Sequence, residues 1–231
     1  MQQKTGIFYG VGVGPGDPEL LTLKAVRVLE QCSVIAAPQT KSGEMLALRI
    51  AEQSVDFCEK TILPLQFTMA RDVEQQAQAH RIAAQAVEAY LAAGQDVAML
   101  NLGDVSIYAT YGYLMELLQA KGYQTVMVPG VPSFCAVAAR LGTSLTSIDK
   151  PLHIIPAGDE NLERTLALSG TKVLMKAGKR IPKVIAALEE QNALDQASMV
   201  QNCGLENEIV YRNLQELKAS AGYFATIVVK E

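Results

Sequence analysis

Charged and aromatic side chains are scarce in this chain of 231 residues. Charged residues make up 19% and aromatic residues 6%, tryptophan is absent, and hydrophobic residues reach 49%. A chain of this kind buries one large core or two small ones, which excludes a disordered, coiled-coil or collagen-like protein. Lys and Arg number 20 against 24 Asp and Glu, for a net charge of −4. This balance argues against nucleic acid as a partner, and any anionic ligand must be met by a local group of cations.

A long apolar run is also missing. The longest uncharged stretch, residues 122–139, is interrupted by Pro129, Gly130 and Pro132, so it does not predict a continuous span of about 20 apolar residues across a bilayer. The N-terminal segment has neither the apolar stretch nor the cleavage site of a signal peptide. We therefore expect no membrane association and a cytoplasmic location.

The patterns of a metal site and of a disulfide framework are absent as well. Four cysteines and two histidines are scattered along the chain without a CxxC pair: Cys32, Cys58, Cys135, Cys203, His80 and His153. The sequence therefore predicts neither a set of disulfides nor a protein-bound metal.

Short apolar runs alternate with amphipathic segments in the first half of the chain. Strands are predicted at 7–13, 34–37, 60–63, 96–102 and 123–128, with helices near 20–29, 44–54, 73–93 and 111–121. This alternation is typical of a parallel sheet covered by helices. Gly94 follows the long helical pattern directly, as a glycine does just past a helix end.

The second half has a different pattern. Strands are predicted at 152–156, 172–175, 198–202, 208–211 and 224–229, with helices starting at 133 and at 161–168 and 182–191. The closely spaced last strands predict antiparallel pairing. The expected fold class is therefore α/β with two α/β domains. The N-terminal domain, residues 1–129, has a mostly parallel sheet with helices, and the C-terminal domain, residues 130–231, has a mixed sheet with helices.

A glycine-rich loop, GVGVGPGDP at residues 10–18, follows the first predicted strand. The GxGxxG spacing of a dinucleotide site is not met, because counting from Gly10 ends on Pro15 and counting from Gly12 ends on Asp17. A tight turn between strand and helix explains the glycines equally well. Asp17, however, lies at the carboxyl end of a strand, where open α/β sheets bind ligands.

A second loop, NLGDVSIY at residues 101–108, follows another buried strand pattern. Both loops are therefore predicted at the same edge of one sheet. Taken alone, the second loop is compatible with a turn in which Asp104 or Ser106 caps the next helix.

Five segments in this order resemble the tetrapyrrole methylase family: GVGPGDPELLT, LGDVSIY, VPGVPSF, VLMK and YFATIVV. The resemblance covers nearly the whole chain. It implies that S-adenosylmethionine binds folded between two α/β domains and leaves as S-adenosylhomocysteine, and that the protein is a homodimer. The chain departs from the family at Val105, where proline is usual, and at Pro132, where threonine is usual.

Some details resemble those family members that methylate carbon 20 of precorrin-2 or cobalt-factor II in cobalamin biosynthesis. These are the Ala37-Pro38 pair followed by GEMLAL, the form of the LGDVSIY loop, and Leu174-Met175-Lys176. Two alternatives stay open. One is another member of the family, such as a uroporphyrinogen III methyltransferase. The other is a non-catalytic ligand-binding module on the same fold.

The resemblance also assigns residues to the cofactor site: Pro15, Leu102, Gly103, Asp104, Ile107, Pro132, Ser133, Lys176 and Thr226. Core packing explains Leu102, Ile107 and Thr226 as well as cofactor binding does. Methyl transfer from a sulfonium depends on orientation rather than on a nucleophilic side chain, so the lack of a catalytic triad is expected.

The tetrapyrrole substrate carries many carboxylates and must meet cations. The candidates on the first domain are Lys41, Arg49, Arg71 and Arg81. Tyr108 is a candidate for contact with the macrocycle. Asp17 is a candidate for substrate contact and for assisting the deprotonation that accompanies methylation. A cobalt ion, where there is one, belongs to the substrate.

Overall fold

A computed structural model of the chain describes residues 4–68, 72–158, 160–217, 222 and 224–230. The chain divides into two compact units, Met1–Pro132 and Ser133–Glu231. Each unit has its own sheet and its own hydrophobic core.

The first unit is built on a sheet of five parallel strands in the order β3-β2-β4-β1-β5. The strands are β1 (Phe8–Gly12), β2 (Val34–Gln39), β3 (Thr61–Gln66), β4 (Val97–Asn101) and β5 (Thr125–Val128). The helices between them are α1 (Leu23–Gln31), α2 (Leu46–Ala51), α3 (Val73–Ala92) and α4 (Tyr111–Gln119). The prediction of a helix-covered parallel sheet is confirmed.

The direction of the connections defines the layers of this unit. The connections after β1 and β2 lead toward the β3 edge, whereas those after β3 and β4 lead toward the β5 edge. Because such crossovers are right-handed, α1 and α2 cover one face of the sheet and α3 and α4 cover the other. The core on the second face includes Phe8, Met99 and Leu114, all fully buried.

Two strands extend further than the sequence predicts, and both extend through a proline. Strand β2 continues through Pro38 and β3 through Pro64. Proline removes one N–H donor and is tolerated at the edge of a sheet. Strand β3 is an edge strand, and β2 pairs with β4 only as far as Ala36.

Side chains cap two of the four helices that lead away from the sheet's carboxyl edge, α1 and α3. The Thr22 hydroxyl accepts a hydrogen bond from the Ala25 N–H at the start of α1, and Asp72 accepts one from the Gln75 N–H at the start of α3. Gly94, with φ of +79°, follows the end of α3, which confirms the predicted stop signal.

The second unit contains a mixed sheet in the order β6-β7-β10-β8-β9. Its strands are β6 (Leu152–Pro156), β7 (Thr171–Met175), β8 (Ala197–Gln201), β9 (Ile209–Tyr211) and β10 (Ala225–Val229), and its helices are α5 (Ser133–Leu141), α6 (Leu162–Leu166) and α7 (Ile181–Glu190). Only β6 and β7 pair in parallel, and the other three pairings are antiparallel. The predicted mixed sheet is confirmed.

Within the part of the chain that the structure describes, no helix combines the length and the apolar character needed to cross a membrane.

Candidate functional site

The carboxyl edge of the first sheet opens between β2 and β4. The two strands are in register from Val34 to Ala36, and beyond that point β2 pairs only with β3 and β4 only with β1. The connections that leave β2 and β4 also run in opposite directions. In open α/β sheets, the carboxyl ends of two such strands form the crevice in which ligands bind.

Three loops at this edge are held together by direct backbone contact. Gly14 and Gly103 exchange two hydrogen bonds, from the Gly103 N–H to the Gly14 carbonyl at 2.7 Å and from the Gly14 N–H to the Gly103 carbonyl at 3.2 Å. A Cβ atom at Gly12 would lie 2.6 Å from the Gly130 nitrogen and 2.7 Å from the Gly103 oxygen. The glycines therefore allow the loops after β1, β4 and β5 to touch. Because these glycines contact one another, they do not form an open loop of the kind that binds a phosphate.

A buried tyrosine supports this region from below. The Tyr111 hydroxyl donates to the Phe8 carbonyl oxygen at 3.0 Å and lies 3.2 Å from the Val126 carbonyl oxygen. Burial raises the pKa of Tyr111 to about 12, so the hydroxyl stays protonated and serves as a fixed donor between β1 and β5.

Asp17 begins a single 3₁₀ turn, Pro18–Leu20, in the loop after β1. One of its carboxylate oxygens accepts a hydrogen bond from the Glu19 N–H at 2.9 Å. The side chain is half-buried. Asp17 thus has a structural task that the sequence analysis did not assign, and its second oxygen is not part of that cap.

Asp104 is the most heavily hydrogen-bonded carboxylate of the edge, and it is only 9% exposed. It accepts from the N–H and hydroxyl of Ser106 and from the Gly130 N–H at 2.9 Å. Burial by itself would raise the pKa of Asp104, but these hydrogen bonds outweigh it and hold the pKa below its ordinary value. The carboxylate is therefore ionised at neutral pH.

The two positions at which the chain departs from the family pattern are both at least partly buried. Val105 is 3% exposed and belongs to the core of the first unit. Pro132, the second departure, is partly buried after the turn that follows β5.

The remaining candidates of this edge differ in exposure. Pro15 and Gly103 are buried, whereas Leu102 and Ile107 are half-buried. Tyr108 is 42% exposed and has φ of +50°, a left-handed conformation that costs a non-glycine residue about 1–2 kcal/mol. Strain of this kind accumulates at functional sites.

Three predicted cofactor residues belong to the second unit. The hydroxyl groups of Ser133, on α5, and Thr226, on β10, lie 3.5 Å apart. Lys176 follows β7 with φ of +57°, and burial lowers the pKa of its ammonium group.

The predicted cations that the structure describes lie on three different elements. Lys41 is exposed in the loop after β2, and Arg49 on α2 lies 3.6 Å from Glu44. Arg81 on α3 is paired with Glu74 at 2.8 Å. Arg71 lies outside the described residues. Lys41 and Arg49 both belong to the connection between β2 and β3.

The contacts of Gly130 and Tyr111 were not predicted from the sequence. Gly130 was noted only as an interruption of an uncharged stretch, although it is the partner of both Gly12 and Asp104. The sequence did contain a signal for the contacts of Gly130, because glycines follow three strands that the βα pattern places in one sheet. Nothing in the sequence indicated that the Tyr111 ring would lie beneath them.

Among the described residues, no group of three or more His, Cys, Asp or Glu side chains is placed to hold a metal ion.

The sequence model of the tetrapyrrole (corrin/porphyrin) methylase family matches residues 8–218 of this chain. The chain is 33% identical over 236 residues to a precorrin-2 C(20)-methyltransferase of Sinorhizobium sp, covering 97% of this chain and 95% of that protein. It is 31% identical over 233 residues to a cobalt-precorrin-2 C(20)-methyltransferase of Salmonella typhimurium, covering 98% and 97%.

A solved structure has the same fold. It is a uroporphyrin-III C-methyl transferase from Thermus thermophilus in complex with S-adenyl homocysteine, with a TM-score of 0.73 and 22% identity, covering 98% of this chain and 92% of that one. The two linked sheets, the carboxyl-edge loops and a family match over most of the chain agree, and we conclude that this protein belongs to the tetrapyrrole (corrin/porphyrin) methylase family.

Proposed function

We propose that the protein is an S-adenosylmethionine-dependent C-methyltransferase that methylates carbon 20 of cobalt-factor II (cobalt-precorrin-2) or precorrin-2 in cobalamin biosynthesis. The observation that carries this proposal is the full-length similarity to two relatives with that activity in their names, at 33% and 31% identity. The family match over residues 8–218 supports the same reaction class.

The charges at the carboxyl edge fit a cationic methyl donor. The described residues of the loops that follow the five strands carry five carboxylates and one lysine: Asp17, Glu19, Glu44, Asp72, Asp104 and Lys41. Among the described loop residues, this excess of carboxylates suits a sulfonium better than a nucleoside di- or triphosphate. Backbone groups and apolar side chains there suit the adenosine portion of S-adenosylmethionine.

The proposed cofactor residues of the first unit are those of the touching loops: Pro15, Leu102, Gly103, Asp104, Ile107 and Pro132. Their support is the resemblance together with the hydrogen bonds that hold these loops in one arrangement. The contribution of Ser133, Lys176 and Thr226 stays a prediction from the resemblance.

In the proposed reaction, the residues of this chain orient the reactants and accept one proton. S-adenosylmethionine, when bound, supplies a methyl group on a positively charged sulfur, which takes the carbon–sulfur electron pair as the methyl group leaves. The loops orient the two reactants, and orientation alone accounts for about 7–11 kcal/mol in ideal cases. Carbon 20 loses a proton when it is methylated. We assign the role of proton acceptor to Asp17, through the carboxylate oxygen that does not cap the 3₁₀ turn. Tyr108 is the proposed contact for the macrocycle.

The experiment is a methylation assay with S-adenosylmethionine labelled with ¹³C in the methyl group. Purified protein is incubated separately with cobalt-factor II, metal-free precorrin-2 and uroporphyrinogen III. We expect a single label on carbon 20 of one of the first two pigments, assigned by ¹³C NMR. Label in uroporphyrinogen III alone would overturn the assignment and identify the protein as a different member of the family.

The alternative from another class is a non-catalytic module that binds a tetrapyrrole without methylating it. Calorimetry with S-adenosylhomocysteine separates the two, because a methyltransferase binds its product cofactor. Heat of binding supports the proposed enzyme. No heat at high protein concentration favours the binding module.

Two further properties follow from the resemblance and are part of the proposal. We expect a homodimer, which light scattering at micromolar concentration tests, and a monomer there would contradict it. We also expect a cytoplasmic location, which fractionation of the producing cell tests.

A further inference from the structure

Most of the acceptor capacity of the Asp104 carboxylate is used within this chain. An ionised carboxylate offers about four lone-pair positions. Three donors of this chain lie within hydrogen-bond distance of it: the N–H groups of Ser106 and Gly130 and the Ser106 hydroxyl. With 9% of the residue exposed, little of this carboxylate is open to a ligand.

The hydrogen bond from Gly130 joins two loops that the sheet does not join. Asp104 follows β4 and Gly130 follows β5, and these strands are not neighbours, because β1 lies between them. The bond between them therefore passes over the end of β1 at Gly12. A Cβ at Gly12 would lie 2.6 Å from the Gly130 nitrogen, so the missing side chain is what allows the two loops to meet.

We propose that Asp104 is a positioning residue that fastens the loop after β5 to the loop after β4, and that it acts on the methyl donor through the backbone of these loops rather than by contacting it. The inference rests on the proposed function, because it assumes that residues 102–107 and 129–132 hold S-adenosylmethionine. It assigns the ribose and ammonium groups of the cofactor to other partners.

A positioning role and a direct contact of Asp104 predict different results when a substitution at Asp104 is tested with several ligands. Asp104→Asn keeps an acceptor oxygen but loses the charge, so hydrogen bonds to it weaken and binding of S-adenosylhomocysteine should fall about tenfold. Calorimetry is repeated with methylthioadenosine, which lacks both the ammonium and the carboxylate group, and with the 2′-deoxy and 3′-deoxy forms of S-adenosylhomocysteine, which each lack one ribose hydroxyl. A positioning residue weakens all four ligands by the same factor. A loss that disappears with any one analogue would identify a direct contact and overturn the proposal.

Amide hydrogen exchange in the ligand-free protein gives an independent readout. Asp104→Asn should speed exchange at the Gly130 and Ser106 amides and leave the core amides of the second unit, such as that of Ile227 in β10, unchanged. Ser106→Ala removes the hydroxyl donor but keeps the backbone N–H, so it should give the same changes at smaller amplitude. This second variant keeps the test possible if Asp104→Asn does not fold. Unchanged exchange at Gly130 in both variants would contradict the proposal. Because this measurement needs no ligand, it separates failure of this inference from failure of the proposed function.

Discussion

The aromatic ring of Tyr111 fills the space in which a side chain at Gly10 would lie. A Cβ atom at Gly10 would be 2.6 Å from two ring carbons, closer than any carbon–carbon contact in a packed core. The ring cannot move away easily, because its hydroxyl donates to the Phe8 carbonyl oxygen and it packs on the Phe8 ring at 4.8 Å between centroids. The glycine in the middle of β1 is therefore required for packing.

Gly10→Ala should destabilise the protein by about 1–3 kcal/mol, the usual cost of overpacking a core. Urea unfolding measures the change. Gly112→Ala is the matched control, because Gly112 lies in α4 with open space where its Cβ would be, and the exchange should stabilise by about 0.4–1 kcal/mol. Equal effects of the two substitutions would contradict the packing argument.

Asp17 caps the 3₁₀ turn and is the proposed proton acceptor, and two substitutions can separate these roles. Asp17→Asn keeps an oxygen for the cap of the 3₁₀ turn but removes the base, so kcat should fall about 10²-fold or more while the thermal midpoint stays the same. Asp17→Ala should lower kcat similarly and also cost about 1 kcal/mol of stability. Turnover by Asp17→Asn at the wild-type rate would remove Asp17 as the proton acceptor.

Lys41 and Arg49 should matter for the tetrapyrrole and not for the methyl donor. Lys41→Gln and Arg49→Gln should each raise the KM for the tetrapyrrole about fivefold, equivalent to about 1 kcal/mol for an exposed charge pair. The affinity for S-adenosylhomocysteine should not change. Lys121→Gln is the control, because Lys121 follows α4 at the opposite edge of the sheet and pairs with Glu88. A KM increase of the same size for Lys121→Gln would indicate a general charge effect.

The depressed pKa of Asp104 predicts a specific loss of stability in acid. A group whose pKa is lower in the folded protein stabilises the fold fully above its unfolded value of 3.8, and this contribution is lost as the pH falls through the folded value. The free energy of unfolding of the wild type should therefore drop more steeply below about pH 4 than that of Asp104→Asn. Parallel curves for the two proteins would show that the carboxylate is not held in its ionised form.

The four thiols should fall into two classes. Cys32 is 1% exposed and burial raises its pKa to about 12, and Cys203 is also buried. Cys58 and Cys135 are exposed. A hydrogen bond to Asp56 raises the pKa of Cys58, and partial desolvation raises the pKa of Cys135. A disulfide reagent at pH 8 should label two thiols of the native protein slowly and all four after unfolding. Rapid labelling of Cys32 would contradict the burial described here.

The elements of this fold were predictable because their signals are local. The long pattern of α3 runs from the capping Asp72 to Gly94, and both ends are as expected. The ends of β2 and β3 were not predictable, because a proline ends a central strand but is accepted at an edge, and the order of strands decides which case applies. That order depends on pairings between residues far apart in sequence.

The candidate site was predictable only in its outline. The βα pattern places the loops after β1 and β4 at one edge, as the structure confirms. The contact of Gly12 with Gly130, across 118 positions of sequence, depends on how closely three loops pack. The capping role of Asp17 and the hydrogen bonds of Asp104 likewise depend on backbone geometry that residue types alone do not specify.

The position of β10 has a consequence for synthesis on the ribosome. Residues 225–229 form the central strand of the second sheet, between β7 and β8, and Ile227 is fully buried there. All five strands of the first sheet precede residue 129, so that sheet can form while the rest of the chain is being translated. Until β10 leaves the exit tunnel, β7 and β8 have no strand between them, and the backbone N–H and C=O groups that pair with β10 have no strand partner.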